Sequence, residues 1–210
     1  MTYRFDKELR RNVAGRCAAF SRLEAGDTKS PLKRAAVAIA LVAMDDGTQS
    51  AAFLLTRRAP RLRSHAGQWA LPGGRCDEGE TAAAAVLREL DEELGLKLTD
   101  ADMLGVLDDY PTRSGYLITP IVLWAGADPK LRPSPQEVAS VHRIPLQDIA
   151  RVDAVDFIAS PDSVRQVVRM KIGASLVHAP TAAMLYQFRE ILAGRDTRVA
   201  DLEQPLFAWR

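Results

Sequence analysis

The sequence predicts a mixed α/β domain with helical additions at both ends. Two observations carry this. Apolar runs of strand length, Ala35–Met44, Ala51–Leu55, Met103–Leu107 and Tyr116–Trp124, are separated by turn residues. Between the second and third lies a helix-period stripe, and similar patterns stand near both ends of the chain. At 210 residues the chain is long enough for one domain with extensions. The hydrophobic share of 47% and charged share of 26% exclude disorder for its bulk. A net charge of +1 argues against a dedicated nucleic-acid binder. The longest apolar run falls far short of the ~20 residues that a membrane helix needs, and the charged first residues offer no signal peptide. Cys17 and Cys76 are too few for a disulfide framework, and His65, His142 and His178 are scattered. A soluble, cytoplasmic protein is expected.

Each element has its own signal. Residues 5–24 place Leu9, Val13, Cys17, Phe20 and Leu23 at steps of three and four, an amphipathic helix. Asp27–Pro31 is a turn-rich break. Ala35–Met44 and Ala51–Leu55 read as strands joined by an Asp-Gly hairpin loop. Residues 56–80, rich in glycine and polar groups, read as a long loop with room for one short strand. From Thr81 to Leu94, Ala83, Val86, Leu87, Leu90 and Leu94 form one narrow apolar stripe, and Gly95 sits just past the end. Met103–Leu107 and Tyr116–Trp124 flank a loop at 108–115. Ser140–Ile144 is a further short strand. A last amphipathic helix covers Thr181–Leu192 and stops near Gly194. The expected organisation is an N-terminal helical extension over 1–28, a catalytic domain over 29–165, and a C-terminal helical extension over 166–210 on the same domain. The apolar faces of the end helices suit core packing, a cap on the site or a homodimer, with core packing preferred.

The helix at 81–94 has an unusual polar face. Glu89, Glu92 and Glu93 stand at i, i+3 and i+4, so three carboxylates project to one side. Like charges at this spacing, near a helix C-terminus, are unfavourable. Arg88 can bridge to Glu92, but nothing basic within the helix answers Glu89. The arrangement reads either as a solvated acidic face or as a site for a hard divalent cation, which takes oxygen ligands. The residues before the helix decide between the two.

Those residues run Gly74 to Glu80 and continue into the helix. Gly74, Glu80, Arg88, Glu89, Leu90, Glu92, Glu93, Gly95 and Leu96 together resemble the Nudix box at every fixed position. The resemblance implies an α/β/α sandwich with a mixed sheet and a loop–helix–loop, and hydrolysis of a nucleoside diphosphate linked to another group. It implies Mg²⁺ or Mn²⁺ held by Glu89, Glu92, Glu93 and the carbonyl of Gly74, with Glu80 and Arg88 a charge pair that orients the loop on the helix. For the general base it leaves two candidates, Glu89 itself and Glu137 in the loop at 135–138.

The stretch before the box concentrates positive charge in Arg57, Arg58, Arg61, Arg63 and His65. Beside a diphosphate site these residues read as an anion clamp leading into Gly73 and Gly74. Leu54, Leu55, Thr56, Ala59, Arg63, Gly67, Pro72, Gly73 and Gly74 also resemble the upstream signature of Nudix coenzyme A pyrophosphatases, with Arg58 where that signature has threonine, a charge that bears on selectivity, and Leu71 where it has phenylalanine. Asp109–Tyr116 and Ile118–Ile121 are similar to the same subfamily. The substrate so implied is coenzyme A or an acyl derivative, cut to 3′,5′-ADP and (acyl-)4′-phosphopantetheine. Arg61, Arg63 and Arg113 are the candidates for its 3′-phosphate. ADP-ribose, dinucleoside polyphosphates and oxidised nucleotides are alternative substrates, and a nucleotide-sensing module without catalysis is a more distant reading. A small-molecule partner is expected, with neither nucleic acid nor membrane.

Overall fold

A computed structural model describes residues 3–23, 32–61, 66–160 and 164–205. Asp6 opens α1 (Lys7–Ala19) by accepting a hydrogen bond from the Leu9 amide at 2.9 Å. The strands β1 (Lys33–Ala43) and β2 (Ala51–Arg58) follow as a hairpin, and β3 (Trp69–Ala70) and β4 (Gly73–Arg75) precede α2 (Ala82–Leu94). Next come β5 (Met103–Val106), β6 (Tyr110–Pro111), β7 (Tyr116–Trp124), β8 (Val138–Pro145) and α3 (Leu146–Ala150). The chain continues through β9 (Val155–Ala159), β10 (Gln166–Ile172) and β11 (Ser175–His178) into α4 (Thr181–Leu192).

The mixed sheet has eight strands, with β3-β2-β1-β7-β5 as its main order and β4, β6 and β8 attached to β1, β7 and β2. The long strand β1 organises it. One edge of β1 pairs with β2 at Leu41–Ala43 and with β4 at Ala35–Val37, both antiparallel. Its other edge runs parallel to β7 from Lys33 to Leu41. A parallel pair needs a crossover, and α2 lies within it.

Alternation along β1 divides the core. Ala36, Ala38, Ala40 and Val42 face α2, where small side chains admit Ala85, Val86, Leu90 and Leu94 close to the sheet. Val37, Ile39 and Leu41 face the opposite layer, which holds residues of α1, α3, α4 and the strands β10 and β11. The α/β/α sandwich expected from the sequence is thus the observed architecture. α1 takes the core-packing role: Leu9, Val13 and Cys17 are buried, and a Cβ on Gly105 would lie 2.3 Å from the Cys17 Cβ.

Two regions differ from the sequence reading. The stretch at 56–80 contributes strand residues at both ends, because β2 runs on to Arg58 and β4 is recruited by the free edge of β1. The chain beyond residue 154 opens with a three-stranded antiparallel sheet, β11-β10-β9, and not with a helix. The extension at 166–210 therefore begins with two strands, and α4 is its helical part. The turn at Asp27–Pro31 lies outside the described residues apart from its flanks. Among the described residues no helix is long and apolar enough to cross a membrane.

Candidate active site

α2 is fixed at both ends. The Thr81 hydroxyl accepts from the Ala84 amide at 3.1 Å, and Gly95, at φ 63°, turns the chain while its own amide donates to the Asp91 carbonyl at 2.8 Å. The turn brings the loop that follows β7 back onto the helix: the Arg132 amide donates to the Leu94 carbonyl and the Ser134 amide to the Glu93 carbonyl.

Arg88 holds the polar face together. Its Nε and Nη2 form a fork on the two Glu80 oxygens, each at 3.0 Å, which keeps the Glu80 carboxyl below its ordinary range. Nη2 also donates to the Arg75 carbonyl at 2.9 Å, tying the box loop to the helix. Nη1 donates to Glu89 at 3.0 Å and to Glu92 at 2.9 Å. The Glu80–Arg88 pair has the geometry expected of it. Glu89 does have a basic partner, contrary to the sequence reading, because the adjacent Arg88 bends back across the helix surface.

Gly73 and Gly74 meet these carboxylates from below. Gly73 sits at φ 138°, and a Cβ there would lie 2.3 Å from the Ala36 carbonyl oxygen, so only glycine fits. Its amide donates to Glu93 Oε2 at 3.0 Å. A Cβ on Gly74 would lie 2.4 Å from Glu89 Oε1. Burial pushes the Glu93 carboxyl up to about 7; the Gly73 amide and Arg58 act against this, and Glu89 and Glu137 add to it. Burial also raises Glu89, with Glu92 and Glu137 contributing and Arg88 opposing. Glu137 is exposed, yet close enough for its charge to be felt by both.

A cavity of about 680 Å³ opens on the other face of the sheet and reaches this point along the backbone of Gly73 and Gly74. The carboxylates of α2 stand behind the two glycines and do not line it. Arg57, Arg58 and Arg75 do line it, together with Trp69 and Tyr116. The Arg57 guanidinium lies 4.9 Å from the Trp69 ring centre, and that of Arg75 lies 5.2 Å from the Tyr116 ring centre. The Nε of Arg58 is buried and makes no hydrogen bond among the described residues.

The other predicted cations lie elsewhere. Arg113 is paired with the buried Glu203, which reaches it from far along the chain. Arg61 donates to the Pro135 carbonyl at 2.5 Å, pinning the loop that carries Glu137. Neither lines the cavity, so neither is placed as a substrate cation. Arg63 and His65 lie outside the described residues. Arg75, which the sequence reading missed, takes a place in the cavity; its only local signal was its position one residue after Gly74. The sequence reading also missed the cavity wall at 176–184, whose residues are unremarkable in isolation.

The donor set at the helix fits a divalent cation. Glu89, Glu92, Glu93 and the Gly74 carbonyl offer oxygen alone, and a bound cation would relieve both the burial that raises Glu89 and Glu93 and the lesser repulsion that adds to it. Among the described residues no group of three His, Cys, Asp or Glu side chains is placed to hold a cation as it stands: Arg88 holds Glu89 and Glu92, and the Gly73 amide holds Glu93.

A family model for the NUDIX domain matches residues 32–162. NudL of Yersinia pestis strain Pestoides F, described as an uncharacterized Nudix hydrolase, is 38% identical over 117 residues, covering 55% of this chain and 57% of that protein. The NudL of Yersinia pseudotuberculosis serotype O:1b is similar to the same extent, so the match spans little more than half the length of these relatives. Among solved structures, a MutT/nudix family protein from Enterococcus faecalis aligns with a TM-score of 0.52 at 18% identity, over 74% of this chain and 60% of its own. RenU, a Nudix hydrolase from M. smegmatis, aligns with a TM-score of 0.51 at 24% identity, over 77% and 86%. These two likenesses concern the fold alone. With the domain match covering the box, the helix and the whole mixed sheet, the chain belongs to the Nudix family.

Proposed function

We propose that this chain is a divalent-metal-dependent pyrophosphohydrolase that cuts the diphosphate of coenzyme A or an acyl derivative to 3′,5′-ADP and (acyl-)4′-phosphopantetheine. The observation that carries this reading is the cavity that ends at Gly73 and Gly74, directly against the carboxylates of α2, with arginines as its charged lining. Resemblance of residues 54–74 to the coenzyme A pyrophosphatase signature supplies the substrate.

Glu89, Glu92, Glu93 and the Gly74 carbonyl would hold Mg²⁺ or Mn²⁺. Such an ion draws charge from diphosphate oxygens and acidifies a bound water. The chain's own residues do the rest. Arg58, with a buried N–H lacking an acceptor, and Arg57 and Arg75 at the same wall offer donors to an anionic diphosphate. Arg88 and Glu80 keep the box loop on the helix, so that Gly74 and Glu89 stay in register. Glu137 would take a proton from the attacking water, a role supported by its exposure and by its charge being felt at both Glu89 and Glu93.

Coenzyme A, ADP-ribose and diadenosine polyphosphate incubated with Mg²⁺ or Mn²⁺ at mildly alkaline pH test this. Release of 3′,5′-ADP from coenzyme A should outpace every other product and fall to background in Glu93→Gln. Survival of coenzyme A while another diphosphate is cut would move the substrate to that class. Full turnover by Glu137→Gln would return the base role to Glu89.

A further inference from the structure

The cavity is built from two different parts of the chain. Its charged end belongs to the stretch around the box. Its opposite wall is made by β11, α4 and the turn between them, with Leu176, Val177, Ala179 and Met184 as its apolar residues and His178 and Thr181 as polar ones, all outside the span 32–162 that the domain family accounts for. The floor between is apolar, with Val37, Leu71 and Ile118. Among the described residues no aspartate or glutamate lines the cavity. One end thus suits a diphosphate, and the other an uncharged hydrocarbon group attached to it.

Three of the wall residues are held by packing. Val177 and Met184 are 2% exposed and Ala179 1%, and register with β10 fixes β11 through Met170 opposite Val177. Leu176 is different: 45% of it is exposed at the lip of the cavity. A single exposed leucine means little on an ordinary surface. Here it continues a buried apolar wall outwards, which extends the apolar path towards solvent.

We propose that Leu176 is a specificity-determining residue: with the wall behind it, it seats the hydrocarbon of the arm beyond the diphosphate, so that an acylated substrate is held more tightly than the free thiol. This rests on the coenzyme A reading above and adds to it a discriminating element that lies outside the catalytic domain's own sequence. The arm, and not the adenine, is assigned to this end because the side chain it exposes, Leu176, is aliphatic, whereas the aromatic rings of Trp69 and Tyr116, which suit a base, stand with Arg57 and Arg75 at the charged end.

Binding without turnover tests it. Dissociation constants for coenzyme A and octanoyl-coenzyme A are measured by calorimetry on the metal-free wild type, on Leu176→Asp and on Val152→Asp, which alters an exposed valine away from the cavity. The octanoyl form should bind about tenfold more tightly to wild type and to Val152→Asp, from burial of its methylenes. The difference should vanish in Leu176→Asp, whose exposed position lets it fold. Equal constants in wild type, or a difference that survives in Leu176→Asp, would overturn the role of Leu176 while leaving hydrolysis of coenzyme A standing. Failure of the metal-free wild type to bind either ligand while it still hydrolyses coenzyme A with Mg²⁺ would overturn the apolar seat alone, and failure both to bind and to hydrolyse would overturn both.

Discussion

Gly74 lacks a side chain at the one place where Glu89 needs the room. With Glu89 Oε1 2.4 Å from the position of a Cβ, Gly74→Ala forces the carboxylate away from the Gly74 carbonyl and from Arg88. Gly74 is not at positive φ, so the backbone itself accepts alanine. The expected outcome is a fold retained by circular dichroism and a metal-dependent activity lowered about 100-fold, the scale of a misplaced catalytic group. The rise in melting temperature on adding Mg²⁺ should shrink in parallel, since a cation that binds only the folded state stabilises it by mass action. Unchanged activity would mean that Glu89 can move without consequence. At this scale the sequence was informative about identity and poor about direction. The carboxylates were legible from their i, i+3, i+4 spacing. Arg113 was not, because its partner Glu203 is brought to it by the return of the C-terminal chain, and no local pattern records that.

Elements differ in how plainly they were written. α2 was legible because an apolar stripe, a capping threonine and a terminal glycine all agreed. β10 does alternate, with Arg169 and Lys171 between buried Val168, Met170 and Ile172, a strand signal that the sequence reading passed over; its neighbours β9 and β11 are too short to show one. α4 was legible in its extent, yet it ends on a feature invisible in its periodicity. Glu190 is buried in the last turn, where a negative charge opposes the helix dipole. Arg195 answers it with Nε at 2.5 Å and Nη2 at 2.7 Å, and this pairing holds the Glu190 carboxyl below its ordinary range. A depressed carboxyl pKa stabilises the fold above the unfolded value, and the contribution is lost as pH falls through the folded one. Arg195→Ala should therefore lower the urea midpoint at pH 7, and only modestly because Arg195 is itself half exposed. As pH falls through the folded value, which lies below the ordinary carboxylate range, Glu190 protonates in wild type too and the two proteins should converge in urea midpoint. A deficit that is constant with pH would assign the effect to packing of the arginine stem.

The whole molecule is tied together at Asp108. This buried carboxylate accepts from the Leu23 amide at 2.7 Å, from Gln187 Nε2 at 2.8 Å and from Arg198 Nη1 at 3.1 and 2.9 Å. Its own amide donates to Gln187 Oε1 at 3.1 Å, and Arg198 reaches on to the Ser21 carbonyl at 2.8 Å. Chain on either side of the catalytic domain thus converges on the start of the segment that runs through Thr112, Ser114 and Tyr116 into the cavity wall. The adjacent Tyr110 adds a hydrogen bond to the Leu202 carbonyl at 2.8 Å. None of this was legible from the chain, since the partners are separated by up to 177 residues and each is an ordinary polar side chain by itself. Asp108→Ala leaves Arg198 and Gln187 without their acceptor in a buried place. The expected cost is about 3 kcal/mol, read from the urea midpoint. Hydrolysis of the proposed substrate should show a raised KM at little changed kcat, because the cavity wall moves while α2, on the opposite face of the sheet, does not. A matching fall in kcat with no change in KM would show instead that the hub acts on the carboxylate helix, and that the two faces of the sheet are mechanically coupled through β1.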